Sequence, residues 1–144
     1  MFTNFTKNDY STVITRGALG GLLLSHGLIK LFVFTIQGTV GFFESLGLPA
    51  ITAYLTIFGE IAGGISLILG VYTRLVAILS LPILIGALWA HSSNGWLFSN
   101  NGGGWEFPLF LIVITFSVIL SGDGPFALRK VPYIDQYIPQ IFKA

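Results

Sequence analysis

Apolar residues run almost unbroken through four stretches of the chain, at about 13–36, 49–71, 74–90 and 105–121. Each approaches the ~20 residues that a helix needs to cross the hydrocarbon core of a bilayer. The first is longer than the ~7 to 15-residue apolar core of a secretory signal and no small-x-small site follows it, so it is expected to be retained. Only "GVYTR" separates the second stretch from the third. That leaves room for a tight turn closed by Gly70 and predicts an antiparallel helical hairpin. "GFFESLGLP", 41–49, is short and mixed and reads as an interfacial turn of helix running into Pro49, a residue suited to a helix start. The pattern predicts an all-α, four-transmembrane-helix bundle with a short interfacial helix between the first two spans. Residues 1–144 form one membrane domain, in which 122–144 are a cytoplasmic tail.

Lys and Arg positions orient this bundle, because cytoplasmic flanks carry an excess of positive charge. With four spans, Lys7, Arg16, Arg74, Arg129, Lys130 and Lys143 all fall on one side and Lys30 alone on the other. Both termini are therefore expected in the cytoplasm, with the protein in the cell inner (plasma) membrane. Composition agrees: 53% of the 144 residues are hydrophobic and 9% charged, against roughly a quarter charged in soluble domains, and mean hydropathy is +0.83. A net charge of +1 and no basic run set nucleic acid aside. The chain has no cysteine, which removes disulfides, thiol redox chemistry and thiolate metal sites.

Small residues at four-residue spacing let helices approach in lipid, so Gly17 and Gly21 of the first span are expected to pack on Gly59 and Gly63 of the second. Pro82 is expected to kink the third span, freeing the carbonyl of Ile78. Trp89, Trp96 and Trp105 mark the outer interface.

Ionisable residues within the spans need a partner, a cavity or a function, since an isolated charge at mid-bilayer costs at least ~2.5 kcal/mol. Glu60 lies about 11 residues into the second span, about 16 Å deep at 1.5 Å per residue, on a face shared with Thr56, Gly63 and Gly64. His26 and Lys30 are one turn apart on one face of the first span; His91 ends the third and Glu106 begins the fourth. Topology alone brings His26, Lys30, His91 and Glu106 to the outer half of the bundle with Glu60 beneath them, as a ligand-binding or proton-exchange pocket. Taken singly, each has a plainer reading: Lys30 snorkelling to headgroups, His91 capping its helix, Glu60 neutral by burial. His26, His91, Glu60 and Glu106 are metal-ligand types, but no compact motif fixes their spacing, and no metal is expected. Arg16, Arg74 and Asp123, at the cytoplasmic boundary, read as a structural ion-pair network or as headgroup snorkelling. "NNGGGW" follows no strand and precedes no Lys-Ser/Thr, so it reads as a flexible turn rather than a phosphate loop.

With these residues identified, the chain resembles the DoxX family of small four-helix bacterial membrane proteins. The resemblance rests on "RGALGGLLLSHGLIKL", on "GLPAITAYLTIFGEIAGGISLILGVYTRLVA" and on "GGGWEFPL", in this order. The family pattern maps onto Arg16, His26, Gly27, Lys30, Glu60, Gly63, Gly64, Gly70, Arg74, His91, Glu106 and Pro108. "GDGPFALRK" keeps the family's Gly-x-Gly after the fourth helix, but Ala127 and Arg129 stand where a Ser and an acidic residue are common. The family is named for likeness to the small membrane subunit of a thiosulfate:quinone oxidoreductase, and some members are associated with oxidative-stress complexes. The resemblance implies a membrane subunit supporting a soluble or membrane oxidoreductase partner. Its pocket would receive a quinone headgroup or another small apolar ligand, with His26 or Lys30 bonding a carbonyl and Glu60 or Glu106 exchanging a proton. With no cysteine, flavin motif or haem-ligation pattern, the chain is not expected to catalyse reduction alone. Two rival readings are a proton-coupled transporter using Glu60, which with four spans would need to be a homo-oligomer, and a scaffold that holds a soluble partner through "RKVPYIDQYIPQIFKA".

Overall fold

The computed structural model describes residues 6–129, 131 and 134–142, so Lys130 and Lys143 of the basic flank lie outside it. Among the described residues five α-helices follow one another: α1 (Lys7–Leu28), α2 (Thr35–Ser45), α3 (Ala50–Leu69), α4 (Thr73–His91) and α5 (Glu106–Ser121). Three helical stretches, Lys7–Val33, Ala50–Leu69 and Thr73–Asn94, are long and apolar enough to cross a membrane. The apolar α5 has 16 residues, about 24 Å at 1.5 Å per residue, and is shorter.

The first span departs from the expected 13–36 at both ends. Its start moves back to Lys7 because Thr6 and Asp9 form a reciprocal capping box that satisfies the first orphan donors. At the other end α1 loosens into a π-helical turn, Ile29–Val33, and breaks at Phe34, after which Thr35 adopts a left-handed φ of 64°. The interfacial helix α2 consequently begins at Thr35 and not near Gly41. Thr39 ties the junction together, its Oγ1 donating to the carbonyls of Thr35 (2.9 Å) and Lys30 (3.1 Å).

The α3–α4 hairpin forms as the short turn requires. Gly70, at φ 68°, closes α3 in a Schellman motif, Val71 N donating to Ser66 O and Gly70 N to Leu67 O. The most extensive interfaces are α1 with α3 and α4 with α5. Between α1 and α3 the close approach uses a different set of glycines from the one expected. A Cβ on Gly64 would lie 2.6 Å from Leu24 N and 2.7 Å from Gly20 O, whereas Gly17 and Gly21 have nothing within 4 Å. Gly59 and Gly63 turn instead toward α4, facing Ile83 and Val76. The buried centre comprises Leu19, Leu23, Leu67, Ala77, Leu84, Leu111 and Val118. Thr115 and Ser80 sit within it because each hydroxyl donates to the carbonyl one turn back, at 2.7 and 2.8 Å. Large apolar side chains cover the outside, among them Leu55 and Phe58 of α3, Leu79 and Ile85 of α4, and Phe110, Val113, Phe116 and Leu120 of α5.

At the end of the bundle that carries the N-terminus of α1, the segment after α5 folds across the α3–α4 turn. Leu128 N and Arg129 N donate to Leu69 O and Gly70 O, and Tyr72 N returns a bond to Arg129 O. Arg16, 2% exposed, donates through Nη1 to Leu67 O at 2.7 Å and Ile68 O at 2.9 Å. Asp123 accepts from Thr73 N at 3.2 Å, at the start of α4, and acts on Arg16 electrostatically. Arg16, Arg74 and Asp123 form no direct salt bridge with one another, Arg16 and Asp123 interacting at longer range, and Arg74 Nε is buried without a hydrogen-bond partner. Arg16 and Asp123 instead bond backbone groups at the carboxyl end of α3 and the amino end of α4, where a helix leaves groups without intrahelical partners.

Candidate functional site

Glu60 occupies the middle of α3 and is 5% exposed. Across from it, Gly27 lets α1 come close, since a Cβ there would lie 3.1 Å from Glu60 Cβ. One turn further on, the π-helical turn presents Lys30, whose ammonium lies 2.7 and 2.8 Å from the two Glu60 oxygens. Helix irregularities of this kind recur at functional sites because they re-aim a side chain without ending the helix. Pairing supplies the partner that a carboxylate so placed requires.

His26 and His91 approach this pair from α1 and from the end of α4. The His26 ring stacks on Phe107 of α5 with centroids 6.0 Å apart, and its Nδ1 lies 2.8 Å from Leu22 O. His91 Nδ1 lies 2.9 Å from Gly102 O and 3.1 Å from Gly103 O. The α4–α5 connection is therefore pinned to the bundle rather than an unstructured turn. Asn94 Nδ2 reaches the same two carbonyls, while Trp105 N and Glu106 N donate to Gly95 O and Trp96 O. Gly104 fits there because any side chain would meet the carbonyls of Trp96 and Leu97. Trp96 and Trp105 pack edge to face at 4.5 Å on this connection.

These elements enclose a cavity of ≈ 670 Å³ whose polar lining is His26, Lys30, Glu60 and His91. Its walls are Leu22, Leu23, Leu84, Leu111, Phe107 and Pro108, and the α4–α5 connection roofs it with Phe98, Gly103 and Gly104. The size and the mix of apolar wall with a few converging polar groups fit a small-molecule site, typically ~300 to 1,000 Å³. A smaller chamber of ≈ 270 Å³ adjoins it beneath α2, lined by Phe42, Phe43, Leu46, Thr56, Pro82 and Gly86. Lys30, Glu60, Ile83, Ala87 and His91 line both, so the ion pair stands between the two spaces.

Glu106, expected in the same cluster, is elsewhere. As the first residue of α5 it accepts from Phe98 N at 2.8 Å and faces a separate depression with Trp96 and Phe110. A carboxylate at a helix N-terminus is favoured there by the unsatisfied amides and the dipole, which holds Glu106 away from the cavity. No group of three or more His, Asp or Glu that could hold a metal ion occurs among the described residues. Sequence reasoning missed Phe107, Phe98 and the loop glycines. The signal for Phe107 was its place one residue after Glu106 at the start of an apolar helix, while nothing in the sequence brought Phe98 over the cavity.

Comparison with known proteins identifies the family. The DoxX family profile matches residues 11–93, which include His26, Lys30, Glu60 and His91. A protein of Bacillus subtilis (strain 168) named "Putative oxidoreductase CatD" is 31% identical over 120 residues, covering 83% of this chain and 85% of that one. No solved structure matches the chain at a significant level. By the extent of both matches and its apolar helices, the chain belongs to the DoxX family of membrane proteins.

Proposed function

We propose that this protein is an integral subunit of the cell inner membrane that supports an oxidoreductase by binding a quinone-like or other small apolar ligand in the larger cavity. The observation that carries this reading is the convergence of His26, Lys30, Glu60 and His91 on one apolar-walled space of ≈ 670 Å³. Intramembrane ionisable residues around a cavity mark ligand or proton pathways. The name of the Bacillus subtilis relative supports an oxidoreductase association, and in this reading electron transfer falls to a partner protein.

In the same reading α5 completes four crossings, supported by its outward face of Phe110, Val113, Phe116 and Leu120. Both termini are cytoplasmic, because Lys7, Arg16, Arg74 and Arg129 gather at one end while Lys30 stands at the other. The cavity then opens in the outer half. A ligand head sits beside the ion pair, and the apolar walls of the larger chamber enclose the rest of the molecule.

Native mass spectrometry of gently extracted protein tests the reading. Wild type is expected to retain a defined quinone or other small apolar compound that Glu60→Gln loses. An empty wild type that Glu60→Gln destabilises would reduce the cluster to a structural network.

A further inference from the structure

The hydrogen-bonding polarity of the cavity narrows the chemistry of what it holds. His26 Nδ1 meets the carbonyl oxygen of Leu22, and His91 Nδ1 meets those of Gly102 and Gly103. A carbonyl oxygen only accepts, so Nδ1 is the protonated nitrogen in both rings. In the neutral imidazole Nε2 is then a bare acceptor. Lys30, the one Lys or Arg among the described residues of the lining, directs its ammonium to both oxygens of Glu60, and an ionised carboxylate itself only accepts. The donors of these side chains are thus largely engaged inside the protein. What they leave to a ligand is acceptors: the Nε2 atoms of the two lining histidines and the remaining lone pairs of Glu60.

A quinone carbonyl also accepts, and it meets one remaining Lys30 proton at most. A hydroxyl finds a partner at either histidine. We propose that the cavity selects a ligand whose polar head donates hydrogen bonds, a phenol or the reduced quinol form of a quinone, over the carbonyl-bearing oxidised form. This rests on the reading of the cavity as a small-molecule site and reverses the role that the resemblance gives His26, as acceptor in place of donor. The stack of His26 on Phe107 holds the ring, and the double contact of His91 with the loop carbonyls holds the other, so both acceptors are fixed before a ligand arrives. Sites built to hydrogen-bond a hydroxyl discriminate sharply against analogues without it, because the buried group is then left unpaired.

The test compares para-nonylphenol with para-nonylanisole, which share a tail and differ at the head by the donor proton. Decyl-benzoquinone serves as the carbonyl probe. Binding to the full chain in lipid nanodiscs is measured by titration calorimetry, with protein-free discs subtracted, at about pH 8, above the ordinary histidine value of about 6.5. Wild type is expected to bind the phenol about tenfold or more tightly than the anisole or the quinone. His26→Phe, which keeps an aromatic stack on Phe107, and His91→Phe are each expected to weaken the phenol and leave the anisole unchanged. Anisole or quinone binding as tightly as the phenol overturns the selection and leaves the ligand site standing, and this wild-type comparison decides even where a variant fails to fold. A preference that survives both substitutions overturns the assignment of the acceptors. Failure of all three probes to bind overturns the site itself.

Discussion

Lys30 and Glu60 tie the π-helical end of the first span to the middle of α3, Nζ lying 2.7 Å from Oε1 and 2.8 Å from Oε2. The side chains are 20% and 6% exposed, so water does little to relieve either charge once its partner is gone. Lys30→Met is expected to destabilise the protein by about 3 kcal/mol or more, and the double variant Lys30→Met/Glu60→Met to recover most of that loss. Equilibrium unfolding in mixed micelles measures both. A double variant as unstable as the single one would show that the pair acts through packing and not through charge.

The close approach of α1 and α3 predicts an asymmetry among glycines. Gly64→Ala places a methyl against the backbone of Leu24 and Gly20 and is expected to cost about 1 to 3 kcal/mol. Gly17→Ala and Gly21→Ala enter open space and are expected to be neutral or to gain up to about 1 kcal/mol from helix propensity. Melting temperatures of the three variants, measured side by side, settle the register of the interface.

Arg16→Met removes both bonds to the α3 carbonyls, and hydrogen bonds from a charged donor contribute about 1.5 to 3 kcal/mol each. The expected outcome is a loss of about 2 kcal/mol or more together with faster trypsin cleavage after Arg129, whose backbone is bonded to the same turn. Unchanged cleavage would mean that the strap holds independently of Arg16.

Glu106→Gln separates the two carboxylates that the sequence grouped together. It keeps an oxygen for Phe98 N and loses only the charge at the start of α5, a cost of about 0.3 to 1 kcal/mol. Ligand retention by native mass spectrometry is expected to be that of wild type, in contrast to Glu60→Gln. Loss of ligand from Glu106→Gln would bring Glu106 back into the site.

Hydropathy located the helices of the hairpin almost to the residue, because Pro49 and Gly70 punctuate an otherwise uniform run. It read through the break at Phe34, since Phe34 and Ile36 are apolar and the interruption lies in backbone geometry that composition does not encode. The meeting of α1 and α3 was legible, but its glycines were not. Four-residue spacing names a face without saying which of several faces turns inward, and Gly20 and Gly64 were passed over for Gly17 and Gly63. Helix spacing and span depth brought His26, Lys30, Glu60 and His91 to one region before any coordinates. Glu106 defeated the same reasoning because topology assigns a residue to an end of the bundle and not to a direction, and the Phe98 amide in the α4–α5 connection gave it a competing destination.

The strap across the α3–α4 turn bears on biogenesis. Leu67 and Ile68 receive Arg16 from α1, made before α3, while Leu69 and Gly70 receive Leu128 and Arg129, made after α5. The carboxyl end of α3 thus stays partly open throughout insertion of the helices and closes when the last segment arrives. Until then the carbonyls of Leu69 and Gly70 lack these two partners, so the turn is completed by the segment made last among those it joins.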